Sequence, residues 1–359
     1  MNKRIAGSAN TTFTRRLHRA SLASAVGLSS FQPTPPFFRG AVQLSTRDGL
    51  ISSSTAFSHL PSTALIPIII GFQTTTKPPA NLRRMSTTAE EQAKLVETSK
   101  RLAAYQAVKD FLLPEYTRIG IGSGSTVVYV VEAIAALGPA ATSKMAFYPT
   151  GSQSEELIEA AGLTLQYISK LPAGQQLDVA FDGADEVDDD LNLIKGGGAC
   201  LWQEKIVAAS AKQFVCVADF RKLSPRLGTA WKKGIPIEVL PMAAPRVLDE
   251  LQRMGSQNPR IRPGLPGKAG AIVTDNGLWI IDAPFAPLLL SKDTETGRNS
   301  DGVWTVDALA DGLIKIPGVA EIGLFYGKNG RQVASGAQKP VAAYFGMADG
   351  SVEVRTPSS

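Results

Sequence analysis

The chain has only two histidines, His18 and His59, and both lie upstream of the stretch whose pattern reads as folded. Acid–base work beyond residue 59 therefore falls to carboxylates, lysines, tyrosines or cysteines. A histidine-held zinc or a Ser–His–Asp triad is excluded there. Cysteine is equally scarce, with Cys200 and Cys216 alone. Two are too few for a disulfide framework or a cysteine metal cluster, which points to a reducing compartment. Acidic residues are nearly missing from the first 84 positions, which hold ten Lys/Arg against the single acid Asp48. Taking these from the totals of 37 and 32 leaves 27 basic and 31 acidic residues downstream. The formal net charge of +5 thus belongs to the N-terminal stretch, and no basic nucleic-acid face is implied. Long apolar runs are missing too: the stretch from Ala64 to Ile70 is broken by Pro67 and too short to cross a bilayer.

Residues 1–84 are rich in Ser, Thr, Pro and Arg, and Pro33, Pro35 and Pro36 interrupt any amphipathic pattern. They read as a disordered or targeting extension, with Met85 a natural alternative start. From Ala89 the segment AEEQAKLVETSKRLAAYQAVKDFL is acidic early, basic later and free of Gly and Pro, which predicts a helix. Arg118 to Gly122 reads as a short strand, Ser123-Gly124-Ser125-Thr126 as a turn, and Val127 to Leu137 as a helix. A strand, a Gly/Ser/Thr turn and a helix N-terminus can cradle an anion; the same residues can equally be a capped helix after a strand. This is neither a Walker loop nor a dinucleotide fingerprint, since GxGxG stands where GxGxxG is needed.

Further strands are expected at 146–148, 163–168, from 177 and at 214–218, with a helix at 154–161. Strands alternating with helices predict a parallel sheet covered on both faces, with ligands at the carboxyl ends of the strands. Ser123–Thr126, Asp182 and Asp219 should gather there. Beyond residue 234 the order changes: a strand at 236–240, a helix at 244–254, a Pro/Gly-rich loop at 260–270, a hairpin over 271–281 around Asn276-Gly277, a polar loop at 291–303, a helix at 306–316 and a strand at 319–325. That is a small α+β unit. A last hairpin pairs 341–346 with 351–354 around Asp349-Gly350.

The densest chemistry lies in LDVAFDGADEVDDDLNLIKGGGACLWQEKIV, residues 177–207. Asp182 and Asp185 sit where a buried strand should end, with Gly183 between them. Lys195 precedes the bare backbone of Gly196-Gly197-Gly198, and Glu204 lies in the first turns of a helix starting near Cys200. Opposed charges beside three glycines are hard to explain as packing alone. Glu186, Asp188, Asp189 and Asp190 read as solvated surface charge, since the calcium-loop spacing fails.

GIGSGST at 120–126, DGADEVD at 182–188, LIKGGGACLWQEKIVA at 193–208 and VADFRK at 217–222 together resemble ribose-5-phosphate isomerase of the A type. GIPIEVLPMA, IVTDNG, IPGV and YFGMADGSV add to the likeness, which covers about residues 94–355. The resemblance implies interconversion of D-ribose 5-phosphate and D-ribulose 5-phosphate in the non-oxidative pentose phosphate pathway. It implies no metal, no organic cofactor, and a homodimer or homotetramer. The expected fold is α/β: a Rossmann-like three-layer parallel-sheet domain (85–233 and 305–359) with a smaller α+β, ferredoxin-like subdomain, mostly 234–304. The expected location is cytoplasmic, the first 84 residues leaving an organelle-targeted form open; no nucleic acid or membrane partner is expected.

Position by position, the resemblance makes Glu204 the catalytic base. Ser123, Gly124, Ser125 and Thr126 contact substrate, as do Asp182, Gly183, Ala184 and Asp185, and Lys195 with Gly196, Gly197 and Gly198. Lys222 binds substrate, and Lys100 on the first helix reaches the phosphate. Aldose–ketose isomerisation moves a proton between neighbouring carbons through a cis-enediolate. One carboxylate on one face can do this if partial burial lifts its pKa. Without histidine, Lys195 and the glycine amides are the candidates to hold the oxyanion. Asp182 is placed to move a hydroxyl proton, and Asp185 to orient hydroxyls. Trp202 departs from the family pattern, where a smaller residue is usual, and so do Gly151 and Ser152. Rival readings are a sugar-phosphate deaminase, a CoA transferase with Glu204 as nucleophile, and a sensor that binds without turnover.

Overall fold

The computed structural model describes residues 80–357, with side chains from residue 90. The extension proposed for 1–84 lies almost wholly outside the described residues. Its last five positions already belong to the first helix, so the folded chain begins before the expected boundary.

Among the described residues seven helices run in chain order: α1 (Ala80–Phe111), α2 (Val127–Ala135), α3 (Pro139–Thr142), α4 (Ser152–Ala160), α5 (Leu201–Ala209), α6 (Ala244–Arg253) and α7 (Val306–Leu313). The strands are β1 (Arg118–Ile121), β2 (Ala146–Pro149), β3 (Val179–Asp182), β4 (Glu186–Val187), β5 (Leu193–Ile194), β6 (Phe214–Asp219), β7 (Ile235–Val239), β8 (Arg260–Ile261), β9 (Trp279–Ala283), β10 (Val319–Ile322), β11 (Leu324–Phe325), β12 (Ala342–Gly346) and β13 (Val352–Arg355).

The main sheet has the order β13-β12-β6-β3-β1-β2, parallel throughout except for β13, which returns antiparallel to β12. Its central strands β3 and β6 are buried along their whole length, so they read in sequence as unbroken apolar runs rather than alternations. On one face Ile119, Phe147, Phe181 and Val217 meet the helical side chains Ala104, Val108, Val130, Ile134 and Ile158. In α1 the buried positions Val96, Lys100, Ala103, Ala104, Ala107 and Val108 recur at three- and four-residue spacing, which makes one stripe along the helix. On the other face Ala180 packs with Val207 of α5, and Cys216 and Phe345 pack with Leu193 and Phe325 of a small sheet, β11-β5-β4. The expected three layers are present.

The smaller unit follows the order β7-α6-β8-β9-α7-β10, and its antiparallel sheet runs β10-β7-β9-β8. This is the ferredoxin-like split βαβ arrangement. It does not stop at residue 304. Leu309 and Leu313 of α7 share a core with Ile237, Val247 and Ile281, and β10 pairs with β7, so the unit extends to residue 322.

Three local expectations are corrected. Residues 163–168 make a single bridge to Phe147 instead of a strand: the Phe147 N–H donates to the Thr164 carbonyl (2.8 Å) and its carbonyl accepts from the Gln166 N–H (2.9 Å). The hairpin over 271–281 reduces to a tight turn closed by Thr274 and Leu278, because β9 takes β8 and β7 as its partners. The strand at 319–325 divides at Gly323: β10 joins the subdomain sheet and β11 the small sheet. Gly323 donates its N–H to Pro236 (2.7 Å) and accepts from the Lys195 N–H (2.9 Å). A Cβ there would run into the Lys195 carbonyl and Pro236, so the crossing needs glycine.

Candidate active site

The carboxyl ends of three parallel strands open onto one cavity of about 170 Å³. β1 delivers the turn Ser123–Thr126, β3 delivers Asp182 to Asp185, and β6 delivers Asp219. β5 brings Lys195 and the three glycines from the opposite side, and α5 presents Glu204. Ser123–Thr126, Gly183–Asp185, Lys195–Gly198, Glu204 and Lys222 all line this cavity. Asp182 lies just under it, buried against Lys195.

Lys195 is the hub. Its ammonium lies 2.9 Å from Asp182 Oδ2 and 3.2 Å from Glu204 Oε1, and donates to the Gly183 carbonyl at 2.7 Å. All three side chains are almost fully buried. Burial works against the ammonium, but the two carboxylates outweigh it and hold the Lys195 pKa above its ordinary value. Burial pushes Asp182 up to about 7, with Lys195 opposing and the negative Glu204 adding to the rise. Asp182 Oδ1 is fixed by the N–H groups of Gly183 (2.7 Å) and Ser123 (3.1 Å).

Glu204 is held at one oxygen only. Oε1 accepts from Ser123 Oγ (2.9 Å) and faces Lys195, while buried Oε2 has no hydrogen-bond partner. A buried carboxylate oxygen without a donor is costly unless a ligand completes it. Asp185 accepts from the Gly197 N–H at 2.7 Å, and burial raises its carboxyl. A Cβ on Gly197 would fall 2.5 Å from that carboxylate. The glycine turn also holds Gly196 at φ 97° and Ala199 at φ 68°, the latter a left-handed conformation unusual for a side-chain-bearing residue.

Lys100 does not reach the cavity wall. It stands behind the turn, donating to Ser125 Oγ (3.0 Å) and Glu97 (2.7 Å), and so brings positive charge to the N-terminus of α2 from within. Lys222 is on the wall, its ammonium 5.6 Å from the Trp231 ring. Cys200 lies 3.1 Å from Ser123 Oγ, and burial drives its thiol pKa far up, away from nucleophilic use.

Arg221 on the wall was missed from the sequence, and Asp219, expected at this edge of the sheet, was given no role there. Burial alone would lift Asp219, but Arg221 grips it at 2.6 and 3.0 Å and holds it below the usual range. The position of Asp219 at a strand end was the available signal. Arg262 was also missed. Its guanidinium is gripped by Asp282 (2.9 and 2.6 Å) and donates to the carbonyls of Gly196 (2.9 Å) and Gly197 (3.2 Å), so the subdomain clamps the glycine turn.

Glu186 and Asp188 are not solvated charge; both are fully buried. Glu186 accepts from the N–H groups of Gly228 and Ala230, and Asp188 from those of Asp190 and Asn192. Among the described residues no three His, Cys, Asp or Glu converge as metal ligands, and no helix is long and apolar enough to cross a membrane.

The sequence model of the family described as ribose 5-phosphate isomerase A (phosphoriboisomerase A) matches residues 146–339. A ribose-5-phosphate isomerase of Mycosarcoma maydis is 47% identical over 261 residues, 73% of this chain and 82% of that protein. One from Candida albicans is 45% identical, over 72% of this chain and 96% of the other. Among solved structures, ribose 5-phosphate isomerase A of Methanocaldococcus jannaschii is similar with TM-score 0.57 and 31% identity, over 72% of this chain and 98% of that one. A D-ribose-5-phosphate isomerase in complex with phospho-erythronic acid reaches TM-score 0.59 at 32% identity, over 73% and 99%. Fold and relatives agree, and the chain belongs to the A-type ribose-5-phosphate isomerase family.

Proposed function

We propose that Glu204 carries the proton in the reaction of this family, the interconversion of D-ribose 5-phosphate and D-ribulose 5-phosphate in the pentose phosphate pathway. The observation that carries this reading is the buried, unpartnered Oε2 of Glu204, whose other oxygen is tied down by Ser123 and Lys195. In the open-chain aldose, Oε2 takes the proton from C2. The C–H electrons form the C1–C2 double bond, and the carbonyl π electrons move onto O1. The same carboxyl then returns the proton to C1, while the O2 hydroxyl proton is lost and O1 gains one. Asp182, with its carboxyl raised by burial, is the group to pass that hydroxyl proton and to assist ring opening.

The three N–H bonds of Lys195 are taken up by Asp182, Glu204 and the Gly183 carbonyl. Its contribution to the enediolate is therefore a fixed positive charge, and the amides of the glycine turn are the direct donors. Ser125, Thr126 and the N-terminus of α2, backed by Lys100, suit the phosphate, with Lys222 on the facing wall. Asp185 suits a sugar hydroxyl. The phospho-erythronic acid bound in the solved relative fits this reading, because its carboxylate is a planar two-oxygen anion like the cis-enediolate. A homodimer or homotetramer is part of the proposal, supported by the exposed apolar Leu240 and Met242 on the smaller unit. So is a reducing, cytoplasmic setting, supported by two buried free cysteines.

The test is ketose formation from ribose 5-phosphate in the presence of EDTA, for the wild type and for Glu204→Gln. Full activity in the first and a loss of about two or more orders of magnitude in the second are expected. An active Glu204→Gln enzyme would overturn the choice of base. Wild-type inactivity in a folded sample would favour the sensor or transferase reading instead.

A further inference from the structure

Next to the catalytic cavity lies a larger hollow of about 500 Å³, lined by Trp231, Lys233, Arg260 and Arg262. The two are contiguous. Gly197 lines both, and Lys222, on the wall of the first, faces the ring of Trp231, on the wall of the second. Trp231 carries a second ammonium, that of Lys233, 4.9 Å from its ring centre. Among the described residues no carboxylate comes within ion-pair distance of Lys222, Lys233 or Arg260. The one acid in the hollow, Asp282, is engaged by Arg262.

This gathering runs against the composition. Beyond residue 84 the chain has more acids than bases, 31 against 27, yet here Lys233 and Arg260 stand close to Lys222 and Arg262 with no ion-pair partner of their own among the described residues. Cations gathered without counter-charge repel one another, and the repulsion is relieved by an anion. Lys233 and Arg260 are exposed, so their charge faces solvent at the mouth. Among the described residues neither makes a side-chain hydrogen bond that would fix it elsewhere.

We propose that Lys233, Arg260 and Trp231 form an anion-capture site outside the catalytic cavity, which draws in the phosphate dianion of the incoming sugar phosphate and passes it to Lys222. The proposal rests on the sugar-phosphate reading above and goes beyond it. No bond is made or broken at this site. Its contribution lies in the capture rate, is screened by salt over a Debye length of about 8 Å at physiological ionic strength, and leaves the chemical step untouched.

The experiment is kcat and kcat/KM for ribose 5-phosphate against NaCl concentration. It compares the wild type, Lys233→Gln/Arg260→Gln, and a control of equal charge change, Lys144→Gln/Lys170→Gln. Both control lysines are exposed; Lys144 stands just before β2, at the end of the sheet opposite the cavity. At low salt the Lys233/Arg260 variant should lose about 3- to 10-fold in kcat/KM, with kcat unchanged and a shallower dependence on salt. The control should follow the wild type. Parallel salt curves for wild type and variant, or equal loss in the control, would overturn the capture site. A fall in kcat would do the same, by showing an effect on the chemistry. Failure of Glu204→Gln to abolish activity would strike the assignment of the base and leave this result standing.

Discussion

The clamp between the smaller unit and the glycine turn gives the sharpest quantitative expectation. Arg262 and Asp282 are paired through two short hydrogen bonds, with side chains 13% and 6% exposed. Arg262→Ala leaves the Asp282 charge buried without its partner, which costs about 3–5 kcal/mol. For a chain of this size that lowers Tm by roughly 6–20 °C. It also removes the donor from the Gly196 and Gly197 carbonyls. A hydrogen bond from a charged donor contributes about 1.5–3 kcal/mol, so if its loss is felt in the alignment of the turn, kcat/KM drops roughly 10-fold or more. Arg262→Lys keeps the charge but cannot hold Asp282 with a fork and reach both carbonyls, and should fall between the wild type and the alanine variant. Removing both partners, in Arg262→Ala/Asp282→Ala, should restore much of the stability and little of the activity. Urea unfolding of the four proteins of the cycle, beside ketose-formation assays, measures both quantities. Additivity within about 0.5 kcal/mol would refute the coupling. Unchanged kcat/KM in Arg262→Ala would refute the clamp on the turn.

Lys205 gives a pH signature. Burial lowers its pKa to about 8, with Glu321 opposing, against an ordinary value of 10.5. Between those values the unfolded chain binds more protons than the folded one, so this group makes stability rise as pH increases from about 8 to 10.5. Lys205→Met should flatten that part of the stability curve in denaturant titrations at stepped pH; an unchanged slope would count against a buried neutral amine. Sedimentation velocity on the purified chain should give a dimer or tetramer, and Met242→Glu on the exposed subdomain surface should shift it toward monomer. A monomeric wild type would remove the oligomer from the proposal.

Much of the main sheet was legible in the sequence because its information is local. Val179-Ala180-Phe181 is a strand buried on both faces, so it reads as an uninterrupted apolar run, and the residues just past its end fall at the cavity. The same holds for β1 with Ser123–Thr126. What escaped depends on contacts between distant positions. Glu186 and Asp188 look like solvated charge in a run of acids. Glu186 is buried because Gly228 and Ala230, more than forty residues on, supply its donors. Arg262 sits in a Pro/Gly-rich loop with no periodicity, and its partners lie about twenty and sixty-five residues away. Val319–Phe325 reads as one strand because propensity does not register that Gly323 lets the chain leave one sheet for another.

That crossing at Gly323 has a mechanical meaning. One short run of backbone is stitched into the subdomain sheet on one side and the small sheet on the other, and at the stitch its carbonyl holds the Lys195 amide. A hinge needs a stretch of chain free to absorb rotation, and this seam offers none. The smaller unit and the small sheet are therefore joined by one continuous backbone segment. Local opening of the smaller unit would strip Lys195 of the carbonyl that holds its backbone N–H, so resistance to breathing in a region remote from the cavity helps keep the charge hub assembled.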